Sequence, residues 1–345
     1  MWVTFSPLVH RSLVSIMTNF HKSNMRLICI LPIYNDWESC QIVLQELQKL
    51  TDTAPLPTTS GQVSLQVVVI NDGSTIDPIP FAVDLDVTIV HLKLNVGHQR
   101  AIAIGLAYVA HEKQDFDMVV VMDSDGEDNP KDILPLIEKA QVKKNTIIFA
   151  QRQRRTEGVS FQIYYFFYKI LFRLLTKQRI SFGNFSCIPK HMLPKVLVLP
   201  SLWNHYSGSI IKSQLPYVMV PIDRGRRYKG TSKMNTVNLI IHGLSAISIH
   251  IETVTIRLLI FSFAGIIISL AAITLVFIIK VMTNFAIPGW ASSISLLIFN
   301  VIIQFMSISL LILLLILYNR NTIQITLSKF YKEFIDRIEE YIDKE

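Results

Sequence analysis

Between Leu258 and Ile279 there is no charged residue, and after Lys280 the next formal charge is Arg320. Each stretch exceeds the roughly 20 apolar residues that carry a helix across bilayer hydrocarbon. Hydrocarbon offers backbone groups no water to bond, so it admits only helices or closed barrels. Two transmembrane helices are therefore expected. Asn284, Pro288, Gly289 and Trp290 between them supply a short turn with an interfacial aromatic, which makes a hairpin the economical arrangement. Two buried helices of a soluble protein would share this composition. However, 50% of the 345 residues are hydrophobic and the excess is concentrated in the C-terminal third, the distribution of a membrane anchor.

Asn300 and Gln304 lie four apart on one face of the second span, where they could hydrogen-bond the first helix or another subunit, which leaves a homo-oligomer open. A pore is the weaker use of them. Arg257 and Lys280 bracket the first span, the loop is uncharged, and Arg320, Lys329 and Lys332 follow the second. Lys280 counts the other way, but the basic residues before Arg257 tip the balance, so both termini are expected in the cytoplasm and the loop outside. A net charge of +7 fits a body resting on anionic lipid and equally a phosphorylated ligand. Nucleic acid is not an expected partner, because the chain has neither an aromatic-basic RNA signature nor a recognised DNA-binding motif. Cys29, Cys40 and Cys187 are odd in number and without CxxC spacing or nearby His, so they are expected to be reduced and structural. Residues 1–24 hold only short apolar runs and do not make a persuasive secretory signal. Met25, directly before the first strand, is a candidate start.

The remaining chain alternates strands and helices. Arg26 to Pro32, Gln66 to Ile70, Val87 to Leu92 and Met118 to Met122 are short apolar runs of buried-strand type, while Glu38 to Leu50 and Gly97 to His111 have helical spacing. This βαβ pattern predicts an α/β domain whose ligands collect at the carboxyl ends of the strands. Asn71-Asp72-Gly73-Ser74 and the run Met122-Asp123-Ser124-Asp125-Gly126-Glu127-Asp128 lie at such ends. An Asp-x-Asp-x-Glu spacing can aim alternate carboxylates at one divalent cation, a geometry suited to a metal holding a nucleotide diphosphate. A polar turn after a buried strand is the competing reading. Neither GxGxxG nor GxxxxGK[ST] occurs.

Pro32-Ile33-Tyr34-Asn35-Asp36, Asn71-Asp72-Gly73-Ser74, Asn95-Val96-Gly97 with Gly105, and Asp123-Ser124-Asp125-Gly126-Glu127 together resemble family 2 glycosyltransferases in order and spacing. With two terminal membrane helices, the chain most resembles the polyprenol-phosphate sugar transferases over roughly Arg26 to Tyr318. The resemblance implies a GT-A (Rossmann-like) fold, a nucleotide-sugar donor, a polyprenyl (undecaprenyl) phosphate acceptor, Mg²⁺ or Mn²⁺, inversion at the sugar carbon, and residence in a bacterial inner membrane. It further implies that Pro32, Tyr34, Asp36, Asp72, Asn95, Gly97 and Asp123 line the nucleotide-sugar pocket, with Asp36 standing where the family usually has Glu. Asp125 and Glu127 would ligate the metal, Glu127 at a position often Gln in relatives.

Gln151-Arg152-Gln153-Arg154-Arg155 follows the apolar strand Thr146 to Ala150, and Arg152 aligns with a family arginine that holds acceptor phosphate, a task suited to a guanidinium fork. Arg227, Gly230, Ser232 and Lys233 match the family's Arg-x-x-Gly-x-Ser-Lys element, so Arg152, Arg227, Ser232 and Lys233 are the implied phosphate binders. Asp123, Asp125, Arg152 and Arg227 are the implied catalytic set. Two segments fit poorly: Phe182 to Cys187, where relatives have Gly-Phe-Arg or Asp-Phe-Arg, and Trp203 to Gly208. Asn184-Phe185-Ser186 also reads as a glycosylation sequon, which a cytoplasmic site disfavours.

Phe161 to Leu175, with a basic stripe of Lys169, Arg173 and Lys177, is expected to be an interfacial helix, with Leu239 to Ile251 a second. The mixed charges from Lys329 to Glu345 have helical spacing and predict a solvated helix. The expected divisions are an extension at 1–25, a catalytic domain at 26–235 that includes the interfacial helix 161–177, a juxtamembrane helix at 236–256, the membrane helices at 257–319 and a charged tail at 320–345. A processive polysaccharide synthase, a transferase acting on another lipid and a non-catalytic membrane scaffold are the alternatives.

Overall fold

The computed structural model describes residues 25–53, 63–152, 168, 170–177, 183–223, 225, 227–229, 243–282, 289–321 and 330–341. The chain divides into two compact units, one comprising Met1–Thr156, Ser181–Lys233 and Thr326–Glu345, the other Glu157–Ile180 and Met234–Ile325.

The first unit is organised by eight strands, the central ones apolar on both faces. These are β1 (Met25–Ile33), β2 (Val63–Asn71), β3 (Asp86–Leu92), β4 (Met118–Val121), β5 (Ile147–Arg152), β6 (Ser186–Pro189), β7 (Tyr217–Ile222) and β8 (Ile335–Tyr341). They form one sheet in the order β7-β5-β6-β4-β1-β2-β3-β8. Pairings β1–β2, β1–β4 and β2–β3 are parallel, whereas β6 runs antiparallel to both β4 and β5. Near-continuous Ile, Leu and Val suits parallel strands covered on both sides. Alternation sends Ile28, Ile30, Val68 and Ile70 to one core and Leu27, Cys29, Leu31, Val67 and Val69 to the other.

Helix α1 (Trp37–Thr53) covers the second of these faces with Cys40, Val43, Leu44 and Leu47. Helix α2 (His98–Glu112) covers the first, using the small residues Ala101, Ala103 and Ala107. At Gly105 a Cβ would lie 2.8 Å from Ile30 and 2.9 Å from Ile70, so glycine sets how closely α2 sits on the sheet. Helix α3 (Ile133–Val142) follows the acidic run, and α4 (Leu193–Leu197) and α5 (Tyr206–Ser213) follow β6. All three cysteines are free and fully buried, and burial pushes each thiol upward, as a structural role requires.

The C-terminal tail departs from expectation. Residues 335–341 are not a helix but β8, paired antiparallel with β3. Just before it, buried Tyr331 stacks on His111 at 5.4 Å and donates to Glu112 Oε1 at 2.6 Å. The charged side chains face solvent from an edge strand, an arrangement that discourages further strand addition.

In the second unit, α6 (Ile251–Met282) and α7 (Trp290–Asn321) are the two expected spans, α6 extending beyond the uncharged run that signalled it and α7 beginning within its own. Their most apolar windows have mean hydropathy 2.6 and 2.7, yet only 11% and 6% of those residues are buried. Core helices of a soluble protein would be covered, so these faces belong in hydrocarbon. Ser262, Ser269 and Val276 are buried along α6 at seven-residue spacing, and Gly265 admits the Phe305 ring of α7. Within the expected juxtamembrane helix, residues 243–248 are helical, a turn follows at 249–250, and α6 begins at Ile251. Of the expected interfacial helix, residues 170–176 are helical and belong to this unit rather than to the catalytic one. Ile170, Leu171 and Leu174 are exposed, whereas Phe172 is buried edge-on against His250.

Candidate active site

The site is assembled by four loops at the carboxyl edge of β1, β2, β3 and β4, with a fifth segment from after β7. After β1, Asn35 adopts φ 52° and its Oδ1 accepts from the backbone N–H groups of Thr75 (2.8 Å) and Ile76 (3.0 Å). Its own N–H donates to Ser74 Oγ at 2.9 Å, so the loops after β1 and β2 are stapled together. Asp72, 3% exposed, turns its carboxylate toward the N-terminus of α2 and accepts from the N–H groups of Val96 (2.7 Å) and Gly97 (3.0 Å). Burial lifts its pKa to about 6, against the pull of those two donors and of His98 and Arg100. Gly73 has φ 64°, and a Cβ there would strike the backbone of Leu94 and Asn95, so this turn requires glycine.

A cavity of 180 Å³ opens here, lined by Pro32, Ile33, Tyr34, Asp72, Asn95, Gly97, His98 and Ala101. Five of the seven residues expected at the nucleotide-sugar pocket, Pro32, Tyr34, Asp72, Asn95 and Gly97, are among them. Asp36 and Asp123 stand beside it, in ion pairs.

The acidic run after β4 is a tight loop. Asp128 Oδ2 accepts from Asp123 N at 3.0 Å, Ser124 Oγ donates to the Pro32 carbonyl at 2.9 Å, and Asp125 Oδ1 accepts from Glu127 N at 2.9 Å. Gly126 has φ 89° and lies flat against the Tyr228 ring. The segment after β7 closes over this loop, Gly225 N donating to Glu127 O (2.9 Å) and Tyr228 N to Asp125 O (3.0 Å). That places Arg227 between two carboxylates, with Nη2 2.7 Å from Asp36 Oδ2 and Nη1 3.2 Å from Asp125 Oδ2. The three side chains are 21%, 18% and 20% exposed, so the attraction is only partly screened by water. Asp36, a residue shorter than the family's usual Glu, is reached by the arginine.

Asp123 pairs with His98, whose Nε2 lies 3.2 Å from Oδ1. Burial opposes charge on that imidazole, but Asp123, Asp72 and Asp125 outweigh it and raise its pKa. Asp125 is also raised, first by burial, then by the negative charge of Asp123 and Glu127, with Arg227 pulling the other way. Among the described residues no three His, Cys, Asp or Glu side chains are gathered into a ready metal cage.

Arg152 ends β5, opposite Ile222 of β7. Gly230, Ser232 and Lys233 lie outside the described residues, as does all of the basic run after Arg152. The two poorly fitting segments meet at α2. Tyr206 N donates to Gln99 Oε1 (2.7 Å), Gln99 Nε2 donates to Asn184 Oδ1 (3.2 Å), and Asn184 Nδ2 lies 3.1 Å from His98 Nε2. His98 was not among the residues singled out from sequence. Its place directly after Asn95-Val96-Gly97, at the first position of a helix whose N-terminus faces Asp72, was the available signal.

Sheet order and site define a GT-A glycosyltransferase domain. Residues 28–196 match the family model for glycosyl transferase family 2. An uncharacterised glycosyltransferase from Synechocystis is 23% identical over 282 residues, covering 78% of this chain and 83% of that protein. An undecaprenyl-phosphate 4-deoxy-4-formamido-L-arabinose transferase from Klebsiella pneumoniae is 24% identical over 301 residues, covering 80% and 82%. Among solved structures, glucosyl-3-phosphoglycerate synthase from Mycobacterium tuberculosis, in complex with Mn²⁺, uridine diphosphate and phosphoglyceric acid, aligns with TM-score 0.46 and 14% identity over 74% of this chain and 85% of that one. The chain is a glycosyltransferase whose residues 28–196 match family 2, and with two apolar helices long enough to cross a membrane it resembles the polyprenol-phosphate sugar transferases.

Proposed function

We propose that this enzyme transfers one sugar from a nucleotide-sugar donor to a polyprenyl phosphate, with inversion and with help from a divalent cation, at the cytoplasmic face of a bacterial inner membrane. The observation that carries the reading is Arg227 held between Asp36 and Asp125, Asp36 lying two residues beyond Tyr34 of a cavity that Asp72, Asn95 and Gly97 also line, in a chain that also carries two spanning helices. The undecaprenyl phosphate in the names of two relatives, from Klebsiella pneumoniae and Erwinia tasmaniensis, supports the choice of acceptor.

The donor set fits a hard cation. Asp123, Asp125 and Glu127 offer carboxylate oxygens from one short loop; the Asp125 pKa is raised first by burial and then by the charges of Asp123 and Glu127, and that second contribution is a repulsion that Mg²⁺ or Mn²⁺ would relieve. Asp125 and Glu127 would hold it, and when bound it supplies positive charge to the departing nucleoside diphosphate.

In the proposed reaction an acceptor phosphate oxygen attacks the anomeric carbon in line, the new C–O bond forms, and the bond to the diphosphate oxygen breaks with its electron pair leaving on the nucleotide. An anionic nucleophile needs no strong general base. The protein's own part is placement and charge. Asp72 fixes the turn before α2 that shapes the base end of the cavity. Arg227, with Arg152 and Lys233, neutralises the diphosphate and the incoming phosphate, and Ser232 donates a hydrogen bond to them.

Incubating the purified full chain with a panel of uridine- and guanosine-diphosphate sugars, undecaprenyl phosphate and Mg²⁺, then weighing the lipid product, tests this. A product heavier by one sugar is expected. A polymeric product, or transfer only to other acceptors, would refute it.

A further inference from the structure

The side chains that join the two poorly fitting segments to α2 have a fixed hydrogen-bond polarity. They start from a group that can only donate, the Tyr206 backbone N–H, 2.7 Å from Gln99 Oε1. With its oxygen engaged there, Gln99 turns Nε2 to Asn184 Oδ1 at 3.2 Å, and Asn184 has only its Nδ2 edge left to face outward, 3.1 Å from His98 Nε2. One main-chain donor thus orients two amides and leaves an N–H donor beside the cavity that His98 lines. Among the described residues, His98 Nε2 is the only polar atom within reach of Asn184 Nδ2. That ring nitrogen has a second neighbour, Asp123 Oδ1 at 3.2 Å. It holds either a hydrogen for the carboxylate or a lone pair for the amide, so it serves one of the two. A ligand oxygen beside Asn184 satisfies both, the amide donating to the ligand and the imidazole to Asp123.

The place of Asn184 along the sheet tells which part of a ligand it meets. In the order β5-β6-β4-β1-β2, Asp72 follows β2, whereas Asp123 and Asp125 follow β4. Val121 pairs with Ser186, and the antiparallel register continued by two residues sets Asn184 level with Asp123. On the other side Phe149 pairs with Ser186, which sets Asn184 level with Gln151, the neighbour of Arg152. Asn184 therefore stands between the carboxylates proposed to face the nucleoside diphosphate and the arginine proposed for the acceptor phosphate. In a transfer between two phosphates, the sugar occupies that interval.

We propose that Asn184 is a specificity residue donating a hydrogen bond to an oxygen of the transferred sugar, and that Gln99 is the positioning residue that keeps it a donor. This rests on the glycosyl transfer proposed above. The sugars selected carry a hydroxyl or carbonyl oxygen at the contacted carbon. A deoxy centre leaves the amide unmet, and an ammonium group sets donors against donors.

The test titrates the full chain calorimetrically, in Mg²⁺, with uridine and guanosine diphosphate, with UDP-glucose, UDP-galactose and GDP-mannose, and with the deoxy and amino-deoxy analogues of the tightest of these at each sugar carbon. N184A should weaken the nucleotide sugar roughly tenfold and leave the nucleoside diphosphate within about twofold. One deoxy analogue should show the same loss with the unsubstituted chain and no further loss in N184A, the non-additivity that marks the contacted oxygen. Q99M, which adds no charge and frees the Asn184 amide to turn either edge outward, should lower the preference for hydroxyl over ammonium at that carbon roughly threefold or more. A chain that binds neither nucleoside diphosphate would remove the transfer reading together with this one. With nucleotide-sugar binding intact, additive losses at every carbon, an N184A loss shared equally by the nucleoside diphosphate, or an unchanged preference in Q99M would overturn this inference alone.

Discussion

Arg227 is held by one carboxylate from after β1 and one from after β4, contacts that span 191 and 102 residues of sequence. Replacing it by Met leaves Asp36 and Asp125 facing each other with little water between them. R227M should lose about 2 kcal/mol of stability, readable by thermal unfolding. Its turnover should fall about 100-fold, the usual loss when one charge-stabilising donor is removed, while R227K should recover part of the stability but not the two-point contact. Asp72 gives a pH signature. Its folded pKa of about 6 lies above the roughly 3.9 of an unfolded aspartate, so its neutral form favours the fold. The stability it contributes is fully present below the unfolded value and is lost as pH rises through about 6. Donor binding should respond in the opposite sense, because a protonated carboxyl releases one of the two N–H groups that shape the turn before α2. Nucleotide affinity measured by calorimetry should therefore weaken as pH falls through 6, and D72N should flatten that slope. Asp72 was legible because Asn71-Asp72-Gly73-Ser74 ends a buried strand with turn residues, whereas Asn95 and Gly97 came with the family resemblance. The partners of Arg227 and the His98–Asn184–Gln99 chain could not, because local patterning says nothing of contacts between segments so far apart.

Strand β8 shows how one element can override its own pattern. In Ile335-Asp336-Arg337-Ile338-Glu339-Glu340-Tyr341 the apolar residues recur every third position, which suits a helix better than a strand, and the charges around them reinforce that reading. The open edge of β3 decides otherwise, since seven residues in isolation form neither structure stably. Strands β1 to β4 were legible because each is a buried apolar run whose type no neighbour needs to decide. The attachment of β8 is fastened at two points. Tyr331→Ala removes a ring that is 2% exposed and should cost about 3 kcal/mol. Ending the chain after residue 329 should lower the melting temperature further and, by baring the β3 edge, promote aggregation measurable by light scattering. The second point is His91. Asn71 Oδ1 accepts from Ser74 N, so its Nδ2 donates to His91 Nδ1, which leaves the proton on Nε2, 3.4 Å from Glu339 Oε1. Burial and then Arg337 depress this imidazole, outweighing Glu339 and Asp336. Because the folded pKa is lowered, its contribution is present above the unfolded value near 6.5 and fades as pH falls below it. Thermal unfolding from pH 8 to pH 5 should show that loss, and H91N should reduce it.

At the scale of the whole molecule, the chain leaves the catalytic unit after Thr156, returns for Ser181–Lys233, leaves again for the hairpin, and returns from Thr326 to supply β8. A chain that enters the bilayer from one sheet and comes back to complete that same sheet must cross an even number of times. The strand pairing of β8 with β3 is thus a second line of support for two crossings, independent of hydropathy. Charge distribution leads to the same expectation, with Lys280, which flanks the connecting loop, counting the other way. The consequence can be checked in intact cells with a membrane-impermeant thiol reagent, since Cys29, Cys40 and Cys187 are shielded in the core. Asn284→Cys, in the connecting loop, should label from outside, whereas Lys344→Cys, beyond β8, should label only after the membrane is opened. If both positions label from the same side, either one of the helices fails to cross or β8 is not paired with the sheet. Circular dichroism of the sheet unit and the melting behaviour of the variant ending at residue 329 would separate those two failures.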